Sequence, residues 1–281
     1  MQTDSKTNNT NLERTSYSKP RHIWRALWPV LVFMLPQMVV IGIALFFFAA
    51  FNNWEWDTAW EIGRGTGLLF PAIGSALSLI LWIPLWRKTA KKHPQLNSGK
   101  VRALPLVSTI GLWFGMSLMF GAVMWNILPQ EAVQPLLDDL ADSNIFIQLL
   151  MVGILAPVVE ELVYRGIVFN RLSEWLPTWA VVLISSLLFG IVHLNPIQIL
   201  YATAFGFILA WQYLRSRNLW IPIIAHFVFN SVNAIFLNFY VTGVSSMEWL
   251  TSVWFIPAGV LIIGSALLFA KSQKSPSTPL K

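Results

Sequence analysis

Two adjacent glutamates and an arginine, Glu160-Glu161-x-x-x-Arg165, interrupt a run from Ile145 to Leu172 that is otherwise apolar and long enough to cross a bilayer. A charged side chain at the bilayer centre costs about 2.5–3.5 kcal/mol on insertion scales, and neighbouring carboxylates repel unless one is paired or protonated. On a helix Glu161 and Arg165 share a face and can form an ion pair. Glu160 points about 100° away and has Tyr164, not a cation, four residues on. A carboxylate whose charge is not held by a cation is the better general base. Further along, His193 closes the sequence Phe189-Gly-Ile-Val-His193, and His226 stands four residues before Asn230, with Asn233 three beyond that. These two histidines lie in apolar segments, whereas His22 and His93 lie in polar sequence. Carboxylates and imidazoles are the side chains of general acid–base chemistry. Each feature also has a plainer reading alone. A histidine or Asn230 can serve as an interhelical hydrogen-bonding group, and Glu161–Arg165 as a snorkelling surface pair. Their joint occurrence favours a polar active centre.

The elements that must position these groups are membrane helices. The chain has 281 residues, 56% of them hydrophobic and only 11% charged, against roughly 25% charged in soluble domains. There is no cysteine, which excludes disulfides and cysteine-based nucleophile or metal chemistry. The net charge of +6 does not point to nucleic acid, because the basic residues flank apolar segments as topology signals and headgroup contacts do. Apolar segments occur at about 27–51, 66–87, 103–128, 145–171, 179–194, 197–214, 219–240 and 249–270. The first is too long for the apolar region of a signal peptide, about 7–15 residues, and is read as a retained helix. Lys6, Arg14, Lys19, Arg21 and Arg25 fall on one side of this arrangement, with Arg87, Lys88, Lys91, Lys92, Lys100 and Arg102. Arg171, Arg215, Arg217, Lys271, Lys274 and Lys281 continue that side, while Arg64 and the acids Asp138, Asp139 and Asp142 take the other. The positive-inside rule then predicts about eight crossings of the plasma membrane with both termini cytoplasmic.

The expected organisation is all-α and polytopic. A polar, disordered cytoplasmic tail (1–26) precedes a three-helix membrane scaffold (27–144). A catalytic helical core (145–240), built from helices 4–7, is followed by a last membrane helix (241–270) and a cytoplasmic tail (271–281). Ala202-x-x-x-Gly206-x-x-x-Ala210 is a small-residue stripe suited to close helix packing. For the groups to meet, the 179–194 segment must tilt, start deep or dip below the surface, because His193 lies roughly 21 Å along it from Trp179. Pro177 and Pro196 permit that.

The order Glu-Glu-x-x-x-Arg, then Phe-x-x-x-His, then His-x-x-x-Asn, over residues 145–235, resembles the CPBP family of CAAX proteases and bacteriocin-processing enzymes, also called Abi or type II CAAX endopeptidase-like proteins. The resemblance implies an intramembrane endopeptidase acting on a peptide or protein at the membrane. Glu160, assisted by His193, would activate water, and His226 with Asn230 would stabilise the oxyanion. Glu161 and Arg165 would support them. A prenylated substrate does not follow. Glu160, His193 and His226 could instead supply a His₂Glu zinc site. There is no His-Glu-x-x-His helix, however, and the paired carboxylates and Asn230 have roles without an ion, so a metal-free glutamate mechanism is favoured. Buried acids and histidines also mark ion pathways, which makes a proton- or ion-coupled transporter one alternative and a non-catalytic membrane immunity or scaffold protein another. Against transport, the halves show no repeat and no matched broken helices.

Overall fold

The computed structural model describes residues 19–59, 68–127, 131, 144–241 and 254–272. Residues 1–18, Arg64, Asp138, Asp139, Asp142, Lys274 and Lys281 lie outside the described residues. The chain is an all-α membrane protein. Its helices are α1 (Lys19–Val32), α2 (Leu35–Phe51), α3 (Leu69–Lys92), α4 (Ala103–Asn126), a long α5 (Ile145–Leu172), α6 (Thr178–Ile191), α7 (Pro196–Ser216), α8 (Trp220–Val241) and α9 (Phe255–Ser272). Among the described residues seven spans are long and apolar enough to cross a membrane, α1 and α2 together forming the first.

Two boundaries differ from expectation, and prolines account for much of the difference. The first span starts at Lys19, inside the stretch expected as a polar tail, and breaks after Val32. Pro36 cannot donate to the Val32 carbonyl, and its ring crowds that oxygen. Pro29 likewise leaves the Arg25 carbonyl without its helical donor, and the Arg171 guanidinium supplies one at 2.5 Å. The fifth expected crossing is only the 14 residues of α6, with Pro177 at its N-cap. Its length is about 21 Å, against a hydrocarbon core of about 30 Å. The chain then turns through Leu194, in the left-handed region at φ 60°, and the Asn195 side chain caps α7 by accepting from the amides of Ile197 and Gln198.

The pairing of helices places the charged loops. Gly111 and Gly115 of α4 sit against Ser265 and Ile262 of α9 in antiparallel order. α6 and α7 form a tight hairpin, in which a Cβ on Gly206 would lie 3.1 Å from the Ser186 Cα, and one on Gly190 would lie 2.8 Å from the Ile199 carbonyl. Ala202 and Ala210 are buried along the same stripe. Asn218 donates to the Gly99 carbonyl at 2.7 Å, and the Gly99 amide to the Arg217 carbonyl at 2.8 Å. Glu174, between α5 and α6, accepts from Arg25 at 3.2 and 3.3 Å and meets His93 at 3.3 Å. Thus the ends carrying Arg25, Lys91, Lys92, Arg102, Arg171, Arg215 and Lys271 gather on one side of the bundle. Burial pushes Glu174 upward, but the His93 hydrogen bond and the Arg25 charge outweigh it and hold the carboxyl below its ordinary range.

Candidate active site

The site grows out of irregularities in α5. The stretch Ala156–Glu161 is α-helical, and π-helical turns at Leu149–Leu155 and Leu162–Phe169 flank it. Such turns recur at functional sites. In the first of them the Ala156 amide donates to the Met151 carbonyl, five residues back. The next bond in that register would run from residue 157 to the Val152 carbonyl, but residue 157 is proline. Asn230 of α8 supplies the missing donor, its Nδ2 reaching the Val152 oxygen at 2.8 Å. A Cβ on Gly153 would come within 2.6 Å of the Ser231 Oγ, so α8 lies directly on this turn.

Glu161 and Arg165 form the ion pair expected from their spacing, at 2.8 Å, and both side chains are 0% exposed. The surface-snorkelling reading is therefore wrong for this pair. Arg165 also donates to the Gly206 carbonyl at 3.1 Å, and its guanidinium lies 4.4 Å from the centre of the Phe189 ring. The small-residue stripe on α7 thus lets α6 approach closely and lends Arg165 a backbone acceptor. His226 brings Nδ1 to 3.1 Å from the same Glu161 oxygen that holds Arg165, and Nε2 to 4.0 Å from Glu160 Oε2. That Glu160 oxygen, Glu161 Oε2 and the Tyr164 hydroxyl are buried without hydrogen-bond partners. Among the described residues Glu160 thus has no Lys or Arg partner, as its place on the helix predicts, but it faces an imidazole.

His193 lies just past the end of α6, half-buried, with Nδ1 at 2.9 Å from the Phe189 carbonyl. Phe189 joins these groups. Its ring centre is 5.4 Å from that of His193, 5.6 Å from that of His226 and 5.3 Å from that of Tyr164, edge to face in each case. Sequence reading placed Phe189 only as the residue four before His193 and missed Gly206 as the acceptor for Arg165. Phe189 could have been sought as a large ring one turn from a buried histidine. A carbonyl acceptor leaves no mark in a sequence. Asn233 of the expected polar stripe donates to its own helix, at the Phe229 carbonyl.

Zinc, the alternative weighed for Glu160, His193 and His226, finds no assembled ligand set among the described residues, where no group of three or more His, Cys, Asp or Glu side chains is arranged to hold a metal ion. His193 and His226 each use Nδ1, toward the Phe189 carbonyl and toward Glu161, and leave Nε2 open.

The site is thus a buried carboxylate facing an imidazole within a bundle of long apolar helices. Residues 142–232 match the family described as type II CAAX prenyl endopeptidase Rce1-like. It is 36% identical over 101 residues to a Bacillus subtilis (strain 168) protein described as putative membrane peptidase YdiL; the match covers 36% of this chain and 41% of that protein. It is 27% identical over 182 residues to an uncharacterized 24.3 kDa protein of Escherichia coli, across 62% of this chain and 83% of the other. No solved structure matches.

Proposed function

We propose that this protein is an intramembrane endopeptidase of CAAX-protease-like type that hydrolyses a peptide bond near the membrane surface. The observation that carries the reading is the buried, unpartnered Glu160 oxygen facing His226 Nε2 at 4.0 Å. Glu160 takes a proton from water as the water oxygen bonds to the carbonyl carbon. It returns that proton to the amine nitrogen as the C–N bond breaks, so acid and amine leave with atoms balanced. His193 offers Nε2 from the α6–α7 turn, since Nδ1 must be the donor to a carbonyl. The match of residues 142–232 to that family supports an oxyanion role for His226 and Asn230. For Asn230, substrate binding has to draw the amide away from the Val152 carbonyl.

In this reading residues 145–240 are the catalytic core, on a scaffold of 27–144 and a last helix within 241–270. Both termini face the cytoplasm, because the basic helix ends share one side. The substrate is a peptide or protein segment presented at the bilayer. Its identification is the test: proteomics of membrane fractions from cells carrying the wild-type protein or Glu160→Ala should reveal a peptide whose processing requires Glu160. Ion flux that follows membrane potential, with no change in any peptide, would establish transport instead.

A further inference from the structure

We infer that Tyr164 is a positioning residue for Glu160, whose carboxyl it holds through the reaction by donating its phenolic O–H to the oxygen that is not exchanging a proton with water. Tyr164 is fully buried, and its hydroxyl has no hydrogen-bond partner. A buried hydroxyl without a partner destabilises the fold, and a phenylalanine ring would fill the same space without that cost. The Tyr164 ring is itself well packed. It stands edge to face with Phe33, between α1 and α2, at 5.7 Å and with Phe189 at 5.3 Å. Those contacts account for an aromatic side chain at this position and leave its hydroxyl unused.

A complementary group stands one turn back on the same helix. Glu160 and Tyr164 are four residues apart and so neighbours on one face, and of the charged groups around the phenol Glu160 acts on it most strongly. Glu160 Oε2 is also buried without a partner, so one orphan is an acceptor and the other a donor. Arg165 does not take this place, since its terminal nitrogens reach Glu161 and the Gly206 carbonyl. Phe33 and Phe189 fix the Tyr164 ring, whereas the Glu160 carboxyl hangs on a flexible chain of single bonds and can turn onto the hydroxyl. When Glu160 takes a proton from water on one oxygen, the other becomes the carbonyl oxygen of a carboxylic acid and still accepts from the phenol. One hydrogen bond thus serves both protonation states, and keeps the acid aimed until its proton passes to the leaving amine.

This role rests on the peptidase reading, and one experiment separates the two. The probe is a fluorogenic copy of the peptide whose processing in membranes requires Glu160, cleaved by the full-length protein in lipid nanodiscs. Tyr164→Phe keeps the ring and removes the hydroxyl. It should melt at or above the wild-type temperature, because a partnerless buried hydroxyl has gone. It should also lower kcat by about tenfold or more, the effect of a misplaced reacting group, with KM unchanged. Tyr164→para-aminophenylalanine returns an N–H donor to the same place and should recover most of kcat. A hydroxyl that serves only the fold would give neither the split between kcat and KM nor the opposite movement of Tm and kcat. Wild-type kcat in Tyr164→Phe, a Tm that falls in step with kcat, or failure of the amino group to rescue overturns the inference and leaves the peptidase reading standing. If no peptide depends on Glu160, the reading and the inference fall together.

Discussion

Glu160 and Glu161 are covalent neighbours in unlike surroundings. Glu161 shares one oxygen between Arg165 and His226 with no exposure to solvent, whereas Glu160 has a buried oxygen without any partner. Their amides should therefore fail differently. Glu161→Gln strands a wholly buried guanidinium, a change that costs about 3–5 kcal/mol, and thermal unfolding in detergent should show a clear fall in Tm together with lost cleavage. Glu160→Gln removes the base and leaves no charge stranded, so cleavage should vanish at near wild-type Tm. Equal loss of activity in two equally stable variants would refute this division. Phe189 provides a second comparison at the same scale. Its ring faces Arg165, His193, His226 and Tyr164. Phe189→Leu keeps an apolar side chain but loses the ring contacts, worth about 0.5–1.5 kcal/mol each for aromatic pairs. It should lower kcat more than it lowers Tm.

At the scale of elements, α5 and α8 are joined through a missing bond. Pro157 leaves the Val152 carbonyl without a donor in the five-residue register, and Asn230 replaces it. Asn230→Ala should destabilise the protein by about 1–3 kcal/mol, the penalty for a buried unsatisfied acceptor. Pro157→Ala restores a backbone amide at that position, so the double variant should regain stability. Melting curves of the two single variants and the double variant decide the matter. Absence of rescue would mean that Asn230 holds α8 in place by some other contact. Cleavage by the stable double variant would further show whether Asn230 has a role beyond this bond.

Across the whole molecule, charge separates the two ends of the bundle. Glu174 links α1, α3 and the α5–α6 turn at the basic end through Arg25 and His93. Its folded carboxyl titrates below the ordinary range. Its contribution is therefore full above about pH 4.3, the unfolded value, and is lost as pH falls through the depressed folded value. Glu174→Gln should lower stability at neutral pH by a modest amount, since partly exposed pairs contribute about 0.2–1 kcal/mol. The difference from wild type should shrink in acid, and a difference that grows on acidification would contradict the sign. Topology follows from the same asymmetry. Reporter fusions at Asp139 and Ser245 should read as external and those at Lys92 and Lys274 as cytoplasmic. A cytoplasmic reading at Asp139 would overturn the orientation.

The sequence by itself determined the membrane environment, the positions of the long apolar spans and the Glu161–Arg165 pair, because each depends on local composition or on helical spacing. It also carried the resemblance to CAAX-protease-like proteins, through three motifs in order. It placed the start of the first span too late and did not register the break after Val32, where Pro36 cannot donate to that carbonyl. Only the tertiary structure decided that His226 would meet both glutamates, that Asn230 would donate to Val152, that Gly206 would receive Arg165, and that Phe189 would stand among them. Those contacts join residues dozens of positions apart on separate helices. Their geometry is set by how closely small residues let the helices approach, and by π-helical turns whose widened register no local pattern announces.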